Sequence, residues 1–213
     1  MRYLILSDIH ANIEALDAAV GDARGGYDRI VCCGDLVGYG ADPNAVCDWA
    51  RSNLHLVIRG NHDRVCACRS GAEFFNERAQ AAASWTRAAL SPENLAYICA
   101  LPAGPARIEG ASLAHGSPAD EDEYVLSEWE VKRVAARLDR GIYFIGQSHL
   151  QGGFLSDWSG VRSLARPAPS ERERIIALSP EHLYLINPGA VGQPRDGDPR
   201  TAYAIYDSDA RTV

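Results

Sequence analysis

The sequence lacks both the long apolar run of a membrane-spanning helix and the apolar core of a secretory leader. Its N-terminal apolar stretch covers only Tyr3 to Leu6, and the charged Asp8 follows two positions later. We therefore expect a soluble, cytoplasmic protein with no membrane partner.

Basic residues are also scarce. The chain has 21 lysines and arginines against 28 acidic residues, for a formal charge of -7, and they form no basic patch. Proteins that bind long nucleic acids usually carry such a patch, because it displaces the counterions of the phosphate backbone. We therefore expect no nucleic-acid polymer as partner. The 213 residues, 46% of them hydrophobic, suffice for one sizeable core, which predicts a single domain over 1–213.

Two common chemical signatures are missing. The cysteines contain no C-x-x-C pair, which favours buried reduced thiols over a metal knuckle and leaves Cys66 and Cys68 open. No G-x-S-x-G motif occurs, which argues against a serine nucleophile. The six cysteines are Cys32, Cys33, Cys47, Cys66, Cys68 and Cys99.

Short apolar runs alternate with helical patterns over the first two thirds of the chain, which is typical of an α/β (α+β) domain. Ser91 with Pro92, and Ser127 with Glu130, have the spacing of helix starts. Beyond residue 150, short runs separated by Gly, Pro and Ser predict a second sheet. The five early runs are RYLIL (2–6), RIVCC (29–33), LHLVIR (54–59), ASLAH (111–115) and IYFIG (142–146).

Each early run is followed closely by residues that can bind metal. Loops that leave the carboxyl ends of parallel strands gather along one edge of a sheet, so these residues can converge although they are distant in sequence. In chain order they are Asp8, His10, Asp35, Asn61, His62, Asp63, His115, Gln147 and His149.

Each of these residues also has a structural interpretation. Asp8 could cap the helix that begins near Asn12, and Asp35 and Asp63 could be turn residues. His115 or His149 could be a hydrogen-bonded core histidine. Independent accidents would not place a candidate ligand after each of five successive strands, so the set as a whole favours a functional site.

The residue types indicate which metals would bind. Imidazole, carboxylate and amide groups without thiolate suit Mn²⁺, Fe, Zn²⁺ or Ni²⁺, and the set is larger than one ion needs. Two cations held close together can clamp the attacking and leaving oxygens of a phosphoryl group. The sequence therefore predicts a two-metal site for phosphoryl chemistry.

The ordered motifs D-x-H, GD, GNHD, HG and G-x-x-H resemble those of the calcineurin-like metallophosphoesterase superfamily over nearly the whole chain. The stretches GDLVGYGADPN (34–44), HGSP (115–118) and NPGAVGQPRDGDPR (187–200) resemble its small bacterial and archaeal phosphodiesterase branch. The resemblance implies a four-layer α/β/β/α sandwich of two mixed sheets flanked by helices. It also implies a dinuclear phosphodiesterase, in which a metal-bridging hydroxide attacks a phosphate ester in line.

The resemblance assigns roles to the motif residues. His62 would lie beside the leaving oxygen, protonating it or stabilising its charge. The implied cofactors are two divalent transition-metal ions, Mn²⁺ foremost, with Fe, Zn²⁺ or Ni²⁺ as alternatives. The implied substrate is a small phosphorylated molecule such as a nucleotide. The residues that would hold the metals, with Asp35 as the bridge, are Asp8, His10 and His149 for one ion and Asn61 and His115 for the other.

Two departures from the family pattern matter. Gln147 stands where the family usually has the first histidine of G-H-x-H, and an amide carbonyl is a poorer donor than imidazole. We expect Gln147 either to be a weak ligand of the second metal or only to hydrogen-bond a metal-bound water. Gly38-Tyr39-Gly40 and Asp63 replace the Asp-Arg-Gly and Glu of the serine/threonine protein phosphatases. The aspartate that steadies their histidine is therefore missing, which disfavours a phosphoprotein substrate.

Some residues have open roles. Tyr39 could stack on a nucleotide base or pack as an ordinary tyrosine. Arg195 could reach a substrate phosphate, or it could pair with Asp196 or Asp198. The apolar segment 184–192 could line a subunit contact in a homo-oligomer.

Other activities fit the same resemblance. They are diadenosine polyphosphate hydrolysis, protein phosphatase activity, and a catalytically weakened member that acts as a protein-interaction module, as the retromer small subunit of this superfamily does. Gln147 alone supports the last of these. Against it stand the seven other motif residues, namely Asp8, His10, Asp35, Asn61, His62, His115 and His149.

Overall fold

The computed structural model describes residues 1–68, 70–168 and 170–213. In chain order its strands are β1 (Arg2–Leu6), β2 (Arg29–Cys32), β3 (Leu56–Val57), β4 (Ala106–Ile108), β5 (Ala111–Leu113), β6 (Gly141–Phe144), β7 (Gly152–Asp157), β8 (Gly160–Leu164), β9 (Leu183–Asn187) and β10 (Ala204–Asp207). Its helices are α1 (Ile13–Asp22), α2 (Pro43–Asn53), α3 (Asn61–Cys68), α4 (Glu77–Ala89), α5 (Pro92–Cys99) and α6 (Glu128–Ala135), with a 3₁₀ turn at Ala72–Phe74.

The strands form two mixed sheets whose parallel strands run toward the same end. The first sheet has the order β10-β1-β2-β3, with β10 antiparallel to β1. The second has the order β4-β5-β6-β9-β7-β8, with β5, β6 and β9 parallel. In the registers, Leu6 lies opposite Cys32, and Leu113 opposite Phe144. The strand ends are therefore level, and the loops that follow them start from one edge.

Three apolar clusters define the layers. The faces that the two sheets turn toward each other pack Ile5 and Val31 of the first sheet with Phe144 and Ile186 of the second. The opposite face of the first sheet packs against helices α1 to α5. The outer face of the second sheet packs against α6 through residues such as Val131. The predicted four-layer sandwich is confirmed.

Capping residues fix where several helices begin. The Ser91 hydroxyl accepts a hydrogen bond from the Asn94 backbone at 3.2 Å, with Pro92 following, as predicted. The Ser127 backbone donates to the Glu130 carboxylate at 2.6 Å, which confirms the predicted capping box.

Helix α1 is capped by Asn12, whose Oδ1 accepts from the Ala15 backbone at 3.0 Å. The alternative interpretation of Asp8 as the cap of this helix is therefore wrong.

The prediction of a second sheet built after residue 150 is only partly correct. β10 joins the first sheet beside β1, and β4, β5 and β6 belong to the second sheet. The run 174–179 forms only an isolated bridge, between Ala177 and Thr212. Parallel β9 lies between β6 and β7, and all five of its residues are buried. The segment 184–192 continues beyond β9 and is buried through residue 191, so its side chains lie in the interior of this chain rather than on its surface.

The cysteines divide into two groups. Cys32, Cys33, Cys47 and Cys66 are buried, as expected for reduced core thiols. Cys68 and Cys99 are exposed, and for Cys99 the expectation of burial is wrong because it lies at the last position of α5. Within the described ranges, no helix combines the length and apolarity needed to cross a bilayer.

Substitution of Phe144 tests the packing between the sheets, because the ring of this residue is fully buried and its centroid lies 5.4 Å from that of the Tyr206 ring. Phe144→Ala should lower the free energy of unfolding by about 3–5 kcal/mol, since it leaves a cavity between the sheets. Phe74→Ala is the control, because that ring is 84% exposed, and it should change stability by less than about 0.5 kcal/mol. Urea denaturation measures both, and equal effects would contradict this account of the core.

Candidate metal centre

The loops that follow β1, β2, β5 and β6, together with the start of α3, meet at the shared edge of the two sheets. They bring together the side chains that the motifs singled out, at exposures of 8% or less. The buried polar set is Asp8, His10, Asp35, Asn61, His62, Asp63, His115, Gln147 and His149.

Four of these residues form one compact group. Asp8, His10, Asp35 and His149 each present a ligand atom, and these atoms lie within 4.8 Å of one another. The His149 Nε2 lies 3.3 Å from Asp8 Oδ1, and the His10 Nε2 lies 3.5 Å from Asp35 Oδ2. This is the donor set of a transition-metal site with nitrogen and oxygen ligands.

The hydrogen bonds of His10 and His149 show which nitrogen of each imidazole carries a proton and which carries a free lone pair. Carbonyl oxygens only accept, so Nδ1 of His10 donates to Val37 at 3.1 Å, and Nδ1 of His149 donates to Gln193 at 2.5 Å. In the neutral rings both Nε2 atoms are therefore acceptors, yet they lie 3.2 Å apart. Two lone pairs this close repel each other unless a proton or a metal cation is bound by them, and backbone carbonyls that fix the tautomer are the usual second layer of a metal site.

A second group of acceptors lies on the other side of Asp35. His115 donates from Nδ1 to the Cys33 carbonyl at 2.9 Å, which directs its Nε2 inward. That Nε2 lies 3.4 Å from Asp35 Oδ2 and 3.3 Å from Asn61 Oδ1. The same carboxylate oxygen thus belongs to both groups, so Asp35 can bridge two cations.

One further atom supports the fit of a metal. Asp8 Oδ2 is fully buried and has no hydrogen-bond partner among the described residues. A buried carboxylate oxygen without a partner is costly unless a cation satisfies it. The residues present therefore fit a divalent metal ion.

The ionisation states agree with this interpretation. Burial lowers the pKa of His10 to about 3, so its imidazole is neutral and available as a ligand. Burial also disfavours the charged form of His115, but the Asp35 carboxylate outweighs it and raises the pKa of His115 to about 10. Burial would raise the pKa of Asp35, yet His115 and His62 hold it far below its usual range. Asp35 is thus a carboxylate, and without metal a proton occupies part of the space between the acceptors.

The backbone at the centre is strained. Non-glycine residues with positive φ are uncommon and concentrate at functional sites, where the surrounding structure holds them. Two glycines allow the close packing that this requires, because a Cβ at Gly60 would lie 2.1 Å from Asp35 Oδ1 and one at Gly146 would lie 2.2 Å from Ser7 Oγ. The site residues with positive φ are Asp8 (54°), His10 (48°), Asp35 (56°), Gln147 (68°) and His149 (59°).

Asp63 braces the centre instead of ligating. Its carboxylate accepts from the Gly60 backbone at 2.9 Å and from the Val37 backbone at 3.1 Å, which ties α3 to the loop after β2. Burial and the nearby Asp35 raise the pKa of Asp63 to about 7. Asp63 therefore has a structural contact, but it lies in the first turn of α3 and is not the predicted turn residue.

His62 lies on the first turn of α3 between two aromatic rings. Its ring centroid is 4.5 Å from that of Tyr39 and 4.4 Å from that of Phe75. Its backbone donates to Asp35 Oδ1 at 2.9 Å. Its Nδ1 is buried without a hydrogen-bond partner among the described residues, and a Cβ at Gly38 would lie 2.8 Å from it. Among the residues that the structure describes, no carboxylate hydrogen-bonds to this ring, and it is held by packing against Tyr39 and Phe75.

The Gln147 side chain is anchored beside the group. Its amide nitrogen donates to the Asp122 carbonyl at 3.3 Å, and its backbone donates to Asp8 Oδ1 at 3.3 Å. With the nitrogen turned to Asp122, the amide oxygen is the end of the side chain that remains to act as an acceptor.

The loop after β9 closes the remaining side. Asn187 donates to the Gly146 carbonyl at 2.7 Å and to Ser148 Oγ at 2.9 Å, which holds the loop that carries His149. Arg195 donates to Gln193 Oε1 at 2.8 Å, and its backbone donates to the His149 carbonyl at 3.3 Å.

The alternative pairing of Arg195 with Asp196 or Asp198 is wrong. Asp196 pairs with Arg166 at 2.6 Å, and Asp198 pairs with Arg200 at 2.6 Å.

Several residues that contact the site residues were not predicted from the sequence. Phe75 lies in an irregular segment before α4 and belongs to no motif, so nothing in the sequence marked it. The carbonyls of Cys33, Val37 and Gln193 carry no side-chain signal at all. Of these residues, Asn187 was the one that the sequence could have indicated, because it begins the NPG stretch at the end of a predicted strand.

Comparison with known proteins agrees with this geometry. The model of the calcineurin-like phosphoesterase superfamily domain matches residues 1–211. An uncharacterised protein of Methanocaldococcus jannaschii is 35% identical over 209 residues, covering 95% of this chain and 81% of its own. The crystal structure of a metallophosphoesterase from Sphaerobacter thermophilus has 34% identity and a TM-score of 0.82, covering 100% of this chain and 85% of its own. The chain belongs to the calcineurin-like phosphoesterase superfamily.

Proposed function

We propose that this chain is a dinuclear metal-dependent phosphodiesterase that acts on a small phosphorylated substrate. The observation that supports it best is the pair of acceptor groups that share Asp35 Oδ2, 3.5 Å from His10 Nε2 and 3.4 Å from His115 Nε2. Family membership alone supports phosphoester hydrolysis. The shared carboxylate oxygen is the observation that supports a second cation.

The protein's own groups would hold and orient the reactants. Divalent cations in these groups would neutralise phosphoryl oxygens and make a water molecule more acidic. One cation would be held by Asp8, His10, Asp35 and His149, and the other by Asp35, Asn61, His115 and, weakly, Gln147.

His62 would act on the leaving oxygen. Burial lowers its pKa, so the free protein holds a neutral ring that can donate one N–H hydrogen bond. The rings of Tyr39 and Phe75 restrict its rotation. Because no carboxylate in the described part of the chain orients the ring, its position depends on aromatic packing, unlike the arrangement expected in the serine/threonine protein phosphatases.

Arg195 would bind a nonbridging phosphate oxygen. Its guanidinium lies near enough to His62 to add to the effect of burial in lowering the pKa of that ring. The Arg195 guanidinium donates to the neutral side chain of Gln193, whereas the carboxylates of Asp196 and Asp198 pair with other arginines. A guanidinium in such a place suits an anionic substrate.

Metal dependence and the bridging carboxylate can be tested together. Chelator-treated protein should not hydrolyse bis-p-nitrophenyl phosphate, and Mn²⁺ should restore turnover. Asp35→Asn should lower that turnover roughly 10²–10³-fold, because the neutral amide cannot bridge two cations. Asp17→Asn on the exposed face of α1 is the control and should retain activity. Full metal-dependent activity in Asp35→Asn would refute the shared-carboxylate site, and inactivity of the parent at every metal level would favour a binding module.

Gln147→His should lower the Mn²⁺ concentration that gives half-maximal activity, since imidazole is the better donor. Gln147→Met keeps the length of the side chain but loses the amide oxygen, and it should raise that concentration. Metal titration followed by calorimetry and by activity measures both. If neither variant changes metal affinity, Gln147 is not a ligand and serves only to hold the Asp122 loop.

Arg195→Ala should raise KM for the diester about tenfold with a smaller change in kcat, because a charged hydrogen bond to phosphate is lost. Arg195→Lys should recover part of the affinity. Arg200→Ala, on the same loop and paired with Asp198, is the control and should leave KM unchanged. A KM that is equal in the Arg195→Ala variant and the parent would remove Arg195 from the substrate site.

A further inference from the structure

Two thiols away from the metal centre lie in contact. Cys68 at the end of α3 and Cys99 at the end of α5 are the two exposed cysteines of the chain. Their sulfur atoms are 3.9 Å apart, with the Cys68 thiol donating to the Cys99 sulfur. The two cysteines are 31 positions apart in sequence, and the packing of α3 and α5 in one layer brings them together. This proximity has no part in the proposed phosphoester chemistry.

The pair lies in a cationic environment. The Arg87 side chain donates to the carbonyls of Cys66 and Ala67, next to Cys68 along α3. Burial and the neighbouring Cys68 sulfur raise the pKa of Cys99, while the charge of Arg87 opposes this. The Arg87 guanidinium would therefore stabilise a thiolate formed at this pair.

We propose that Cys68 and Cys99 form a redox modification site, at which a hydroperoxide converts the two thiols into an intramolecular disulfide. The distance between the sulfur atoms, the exposure of both cysteines and the neighbouring Arg87 side chain support this inference. It depends on the arrangement of α3 and α5 and not on the proposed hydrolase activity, so either can fail without the other.

The reaction balances with hydrogen peroxide as the oxidant. The Cys68 thiolate attacks one peroxide oxygen, the O–O bond breaks, and the leaving hydroxide takes a proton to become water. The sulfur is then a sulfenic acid. The Cys99 sulfur attacks it, the S–O bond breaks, and the departing hydroxide leaves as water with the proton of Cys99. Two thiols are oxidised by two electrons, and one peroxide is reduced to two waters.

The disulfide would act on the helix that presents two residues of the metal centre. Asn61 and His62 form the first turn of α3, and Cys68 ends it. A bond from Cys68 to Cys99 would fix the far end of that helix to α5 and close a large loop, which stabilises the fold mainly by restricting the unfolded chain. Reduction would release this constraint.

Alkylation of the whole folded protein before and after oxidation tests the proposal. In the reduced protein, iodoacetamide should label Cys68 and Cys99 and leave the four buried cysteines unlabelled. After treatment with one equivalent of hydrogen peroxide, both labels should be lost, a peptide pair joined through Cys68 and Cys99 should appear by mass spectrometry, and the melting temperature should rise. Dithiothreitol should reverse all three changes.

Cys68→Ser and Cys99→Ser are matched controls, because each keeps one exposed thiol and removes its partner. Neither should show the rise in melting temperature with peroxide. The proposal is overturned if both thiols of the parent protein remain open to alkylation after oxidation. It is equally overturned if peroxide joins Cys68 to another chain in preference to Cys99. These readouts on the parent protein do not require that either variant folds well.

Discussion

Repulsion between buried acceptors is the constraint around which this protein is built. The Asp35 carboxylate faces His10 on one side and His115 on the other, and Asp8 and Asn61 add further oxygen atoms to the same space. Such a group cannot be left unpaired in a protein interior without a large penalty. Protons pair with some of these acceptor atoms, and divalent cations would pair with all of them.

The surrounding backbone keeps these acceptors facing one another. Left-handed conformations at Asp8, His10 and Asp35 turn side chains inward, and Gly60 leaves room for the Asp35 carboxylate. Backbone carbonyls accept from Nδ1 of all three imidazoles, which directs each Nε2 toward the centre. Strain of this kind is maintained only by rigid surroundings, which here are the level ends of two packed sheets.

The sequence predicted the site better than the sheets. Asp8, His10, Asp35, His115 and His149 follow apolar runs, and convergence at a sheet edge follows from strand direction alone. The placement of β10 beside β1 depends on contacts across 200 positions, which periodicity does not report. The packing of Phe75 on His62 and the pairing of Asp196 with Arg166 likewise depend on how loops meet in space. Asp63 was ambiguous because a brace and a ligand have the same residue type.

The centre draws its side chains from both sheets. Asp8 and Asp35 follow strands of the first, whereas His115 and His149 follow strands of the second. Neither half can complete the acceptor groups alone, so a chain in which only one sheet has formed has no full site. Metal binding is thereby linked to the docking of the two layers, and a cation that binds the docked state also shifts the folding equilibrium toward it by mass action. The ions that would serve catalysis would thus also bind tightly only after the two sheets have packed together.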